Sequence, residues 1–252
     1  MGELINLEKI PEEVRKLIKP YVKKLIELLG DNLCSIAVFG SATGEDFIPK
    51  KSNVNLLVVL KEVELAHLKK CFKLVAQGRK KGIVAPLFLT RLHMETSSDV
   101  FPVEFLDMRD SHQMIYGEPI FERLDIGTEN LRLECEEQLK GKLIRLRQVY
   151  LEVGANAKAI SAVTVESLTS LIPVFRGMLK LSGEEPPRVK KEVIDATSKR
   201  FGVEKWILQR VLDIKAGRAK LEKNDIEDFY GRYIKEIEKL AIAADQIEGE
   251  SK

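Results

Sequence analysis

Cysteine and histidine are scarce in this 252-residue chain. Its three cysteines (Cys34, Cys71, Cys135) are odd in number, far apart and without a CxxC pair. That pattern points away from a disulfide framework or a structural zinc site and toward a reducing compartment. The three histidines (His67, His93, His112) lack metal-ligand spacing, and none follows His112. An excess of one charge is also missing: 41 basic against 39 acidic residues leave +2. Bulk electrostatics therefore demand no polyanionic partner. The local clusters Lys50-Lys51, Lys69-Lys70 and Arg79-Lys80-Lys81 read as solvated faces, and a nucleic-acid partner is left open. The N-terminus lacks a basic-then-apolar leader pattern. The most apolar helix candidate, Ile160 to Leu181, is broken by Glu166 and Arg176 and is expected to fall short of a membrane span. A soluble cytoplasmic protein without membrane contact is the expectation.

What is present is an ordinary globular composition, 44% hydrophobic and 32% charged, enough to bury one large core or two modest ones. Apolar residues at helical spacing predict a first helix from Pro11 to Leu29, with Pro20 expected to kink or split it. "CSIAVFG" and "VNLLVVL" (Val54 to Leu60) read as strands, the second apolar on both faces. A helix is predicted over about 63–81. "IVAPLFLT" (83–90) and "FPVEFLDM" (101–108) read as third and fourth strands, with Pro86 and Pro102 at edges or strand ends. From Thr128 onward the pattern is helical throughout, over about 128–153, 155–181, 187–200, 203–215 and 224–247. Asn224 and Glu227 are expected to cap the last helix. The composition thus divides into residues 1–120, mixed α and β, and residues 121–252, all helical.

One stretch carries chemistry. An apolar strand ends at Gly40-Ser41, a spacer of about a dozen residues follows, and "S-N-V-N-L-L-V-V" opens the next strand. This arrangement resembles the nucleotidyltransferase superfamily of DNA polymerase β, particularly the small bacterial branch with the aminoglycoside nucleotidyltransferases. The resemblance covers residues 33 to 120. It implies an α+β protein, a nucleotidyltransferase-like mixed sheet with flanking helices followed by an all-helical bundle. It also implies that Gly40 and Ser41 approach a nucleotide's phosphates, with backbone amides and the Ser41 hydroxyl cradling anionic oxygens. In the family, two aspartates on the second strand hold magnesium ions against the triphosphate.

Here those two positions are Asn53 and Asn55. They share a strand face, two residues apart, but bring no negative charge. At an effective dielectric near 20 and about 4 Å, a divalent ion loses roughly 8 kcal/mol of attraction per missing charge, before hydration offsets part of it. The third strand holds no acid. On the expected fourth strand Glu104 and Asp107 face opposite ways, so at most one, Glu104, joins the site. No cofactor is expected unless such a carboxylate recruits magnesium. Arg176 and Lys180, at i and i+4 near a helix end, are candidates to reach a phosphate, or simply complement the helix C-terminus. Ribonuclease-type helical partners of small nucleotidyltransferases pair Arg with His on one helix, and no histidine here supports that. The expected function is a catalytically degenerate nucleotidyltransferase-fold module that binds a nucleoside triphosphate or a protein partner. Self-association through the bundle is an open extra. The alternative is an active, metal-dependent transferase moving a nucleoside monophosphate to a small molecule, protein or RNA.

Overall fold

The computed structural model describes residues 4–122, 124–128, 130–222 and 224–247. The chain divides into two units: Met1–Ser98 with Asp107–Ile126, and Asp99–Leu106 with Gly127–Lys252.

In the first unit, α1 (Glu12–Leu29) leads into β1 (Leu33–Phe39), β2 (Asn55–Leu60), α2 (Leu65–Arg79), β3 (Leu87–Thr90) and α3 (Arg91–Ser97). A short helix, α4 (Pro102–Asp110), crosses the division between the units, and β4 (His112–Gly117) follows it. The sheet runs β3-β2-β1-β4. β1 is antiparallel to both β2 and β4, while β2 and β3 are parallel across the α2 crossover, giving the mixed sheet expected of the family. Pro86 immediately precedes the edge strand β3, where a missing N–H costs no ladder bond.

Side-chain alternation sorts the two faces. Ile36 and Val38 of β1 and Leu56 and Val58 of β2 pack with Ile18 and Leu25 of α1 in one buried cluster. The intervening residues, Ala37, Phe39, Asn55 and Leu57, therefore occupy the opposite face. Gly117 closes β4 at φ +77°; a Cβ there would lie 2.0 Å from the Cys34 carbonyl oxygen.

Three local expectations fail, each for a stated reason. α1 runs unbroken through Pro20, because burial of Ile18, Tyr21, Val22 and Leu25 holds it from one side. Residues 101–108 form α4, not a strand. Pro102 takes the first helical position, where its absent N–H is no loss, and burial of Val103, Phe105, Leu106 and Met108 hides any helical stripe. The fourth strand is instead His112–Gly117. Asn224 does not cap the last helix either: that helix starts at Ile226 without a side-chain cap, and Glu227 accepts from the Tyr150 hydroxyl.

The second unit holds α5 (Leu131–Val153), α6 (Ala157–Leu181), α7 (Lys190–Phe201), α8 (Lys205–Ala216) and α9 (Ile226–Gln246). Contrary to expectation, α6 is long and apolar enough to cross a membrane by length and composition alone. Its apolar side chains are spent internally: Ile160, Leu168, Leu171 and Phe175 are buried, and α6 packs against α5, α7 and α8. Gly177 permits the close approach of α5, since a Cβ would stand 2.9 Å from Cys135 Sγ. Among this unit's buried hydroxyls, Tyr230 donates to the Leu146 carbonyl at 2.8 Å and Tyr233 to Ser167 Oγ at 3.1 Å, while those of Thr197 and Ser198 have no partner among the described residues.

Candidate functional site

β1 ends in extended backbone at Phe39 and turns at Gly40 into a short 3₁₀ segment, Gly40–Thr43. Gly40 sits at φ +73°, a region where an L side chain costs roughly 1–2 kcal/mol. A Cβ there would stand 3.6 Å from Asn55 Nδ2, so the bare backbone of the loop faces the Asn55 amide. The loop is pinned from β4's side. The Gly40 N–H donates to the Ser111 carbonyl at 2.9 Å. Thr43 Oγ1 donates to the Gly40 carbonyl at 2.8 Å and lies 3.3 Å from that of Ser111. These bonds leave the Ser41 amide and hydroxyl without a partner among the described residues. Both donors sit at the end of β1.

Strand register adds a residue that the sequence reading passed over. Phe39 pairs with Asn55 on one side and with His112 on the other. Directly paired residues in antiparallel ladders point to the same face, so Asn55, Phe39 and His112 form one row across the sheet beside Gly40. His112 Nδ1 lies 2.7 Å from the Arg109 carbonyl and donates to it, since a carbonyl only accepts. Its ring packs at 4.4 Å against Phe121. Mistaking 101–108 for the fourth strand hid this row. The short β-prone run Met114-Ile115-Tyr116, ending at Gly117, was the signal that would have revealed it.

Asn53 is exposed and Asn55 half-buried. Neither Glu104 nor Asp107 lies on a strand. On α4, three residues apart, they are neighbours along one helix face rather than opposed. Glu104 belongs to a polar cluster of the second unit. Gln138 Nε2 donates at 3.0 Å to both Glu104 Oε1 and Glu134 Oε1, and the Val103 N–H donates to Glu134 Oε2 at 2.8 Å. Burial, and then the hydrogen bond and charge of Glu104, push the Glu134 carboxyl up to about 8. Arg176 donates through Nε to the Pro187 carbonyl at 3.2 Å and through Nη2 to that of Arg188. It thereby ties down the loop after α6. Lys180 is half-buried in the last turn of α6 and makes no ion pair among the described residues.

The family's magnesium is not matched by this donor set. Asn55, at the start of β2, and Asn53, two residues before the strand, offer carboxamides, and no group of three or more His, Cys, Asp or Glu side chains is placed to hold a metal among the described residues. Hard divalent cations require carboxylates alongside substrate phosphates.

No family model and no curated protein matches the chain. Among solved structures, the spectinomycin adenyltransferase AAD(9) from Enterococcus faecialis, determined with ATP and spectinomycin, is similar over 92% of this chain and 99% of that one. The TM-score is 0.59 and the identity 14%. The fold is that of a nucleotidyltransferase. The likeness extends past the sheet into the helical part, and at this identity it speaks for architecture alone.

Proposed function

We propose that the protein is a nucleotidyltransferase-fold module that binds a nucleoside triphosphate without performing metal-dependent transfer, in the cytoplasm. The observation that carries this reading is the pairing of a phosphate-type loop with Asn55 at its side. Ser41 offers an amide and a hydroxyl to a phosphate oxygen, and Gly40 lets the ligand approach the backbone. Aspartates at positions 53 and 55 would repel bare phosphates and need cations between. Carboxamides donate hydrogen bonds to the same oxygens directly. ATP bound to the AAD(9) relative supports the ligand class.

Calorimetry of ATP binding with magnesium and with chelator tests this. The affinities are expected to agree within about twofold, and Ser41→Ala to weaken both about tenfold, the loss of one hydrogen bond to a charged acceptor. Transfer of labelled nucleotide to an acceptor, dependent on magnesium or manganese, would overturn the reading in favour of an active transferase. That competing reading draws on the full span of the AAD(9) likeness, and it needs Glu104 or Asp107 to supply the missing charge.

A further inference from the structure

We propose that the outward face of α2, with the loop beside its C-terminal end, is a binding track for single-stranded nucleic acid. Between Glu64 and Glu95 the chain carries no Asp or Glu, yet seven of its residues there are Lys or Arg. In a protein with a net charge of only +2, that is a concentrated asymmetry. The fold turns it into a surface. Cys71, Leu74 and Gly78 are the buried side of α2. Around the opposite side, at helical spacing, stand Lys69, Lys73 and Lys80, all exposed. None of the three has an ion-pair partner among the described residues. Phe72 flanks this row, with 64% of its surface exposed.

A second basic segment is brought alongside. The Val54 N–H donates to the Gly82 carbonyl at 2.9 Å and the Val84 N–H to the Val54 carbonyl at 3.0 Å. This short parallel bridge sets the Lys50-Lys51 loop next to the turn carrying Lys80-Lys81. The loop is tied on itself: the Ser52 N–H donates to the Ile48 carbonyl at 2.7 Å, and the Ile48 N–H to Ser52 Oγ at 3.0 Å. Lys50 and Lys51 are exposed and likewise unpaired among the described residues. From Lys69 to Lys80 the helix alone provides about 16 Å of track.

The chemistry favours an unpaired polyanionic strand. Cations at intervals neutralise phosphates, and an exposed aromatic among them offers a stacking platform that only unpaired bases can use. A membrane-surface helix would present a continuous apolar face outward; on α2 Cys71, Leu74 and Gly78 are buried, and the large apolar residues left exposed are Leu65 and Phe72, seven positions apart on a side that also carries lysines. The residues varied below lie on α2 or at its end and not in the Ser41 loop, so failure at either site leaves the other readable.

Fluorescence anisotropy with labelled oligouridylate and oligothymidylate tests the proposal, with duplex DNA and phosphatidylserine vesicles as controls. Binding to single strands is expected to fall with salt, with a log–log slope of about −3 for four to five neutralised phosphates. Lys73→Ala and Lys80→Ala should each reduce that slope by about 0.7. Phe72→Ala should weaken binding about tenfold and leave the slope unchanged. A preference between the two oligomers identifies the strand type. Vesicle binding without strand binding, equal affinity for duplex, or indifference to Phe72→Ala overturns the proposal. All three side chains are solvent-facing, and thermal melts confirm that the variants fold.

Discussion

Replacing Asn53 and Asn55 together by aspartate is expected to make the protein respond to magnesium. Asn55 opens β2 beside the bare backbone of Gly40, and Asn53 lies two residues before it, outside the strand. Two carboxylates there would each restore roughly 8 kcal/mol of gross attraction for a divalent ion, most of it offset by the ion's dehydration. The net gain is read in two ways. Without metal the paired carboxylates repel each other and the variant should melt below the parent. With magnesium at 100 times its dissociation constant, binding contributes about 2.7 kcal/mol. For a chain of this size that corresponds to a rise of about 5–10 °C. ATP affinity should become at least tenfold stronger with magnesium than with chelator. A parent protein already showing that magnesium-dependent rise would defeat the degenerate-site reading. A variant that fails to respond would show that the surrounding geometry, and not only the charge, has drifted.

The second large effect belongs to the helical unit and to pH. Glu134 is held protonated near neutrality because it is half-buried and faces the Glu104 carboxylate. Its folded value, about 8, stands above the 4.5 ordinary for a glutamate. Between those values the folded protein binds more protons than the unfolded chain, so stability falls as pH rises. The full contribution is present below about pH 4.5 and is gone above about pH 8. Glutamine cannot titrate, so Glu134→Gln should flatten this decline. Its melting temperature relative to the parent should climb steadily from pH 5 to pH 8. Solvent screening at the exposed Glu104 side reduces the amplitude to on the order of 2 kcal/mol, or about 4–8 °C. Glutamine keeps the acceptor for the Val103 N–H but presents an amide nitrogen where Gln138 now donates. That mismatch costs about 1 kcal/mol at every pH. It shifts the curve without tilting it. Parallel melting curves for parent and variant across this range would refute the assignment of the proton to Glu134.

The two effects draw on different levels of information. Gly40, Ser41 and the two asparagines are close in sequence, and their spacing around an apolar strand is a local signature. The five bundle helices were legible for a similar reason, because long amphipathic periods over α5 to α9 admit one reading. Residues 101–108 were not. A short helix buried on most sides has no polar stripe, so its pattern imitates a strand. That one error displaced β4, hid His112 from the site row, and set Glu104 and Asp107 on opposed faces.

Local chemistry along the chain thus determined the sheet's central strands, the Gly40-Ser41 turn, the carboxamides at positions 53 and 55 and the helical second half. Only tertiary structure decided which distant segments meet. Register across β1 brought His112 into line with Asn55, and helix packing set Glu104 against Glu134. A single two-bond bridge at Val54 joined two lysine clusters separated in sequence by a strand and a helix. The physical reason is the range of the forces involved. Backbone preference and side-chain periodicity act over a few residues and are written in order, whereas proximity between segments comes from burying their shared apolar surfaces, which no single segment specifies.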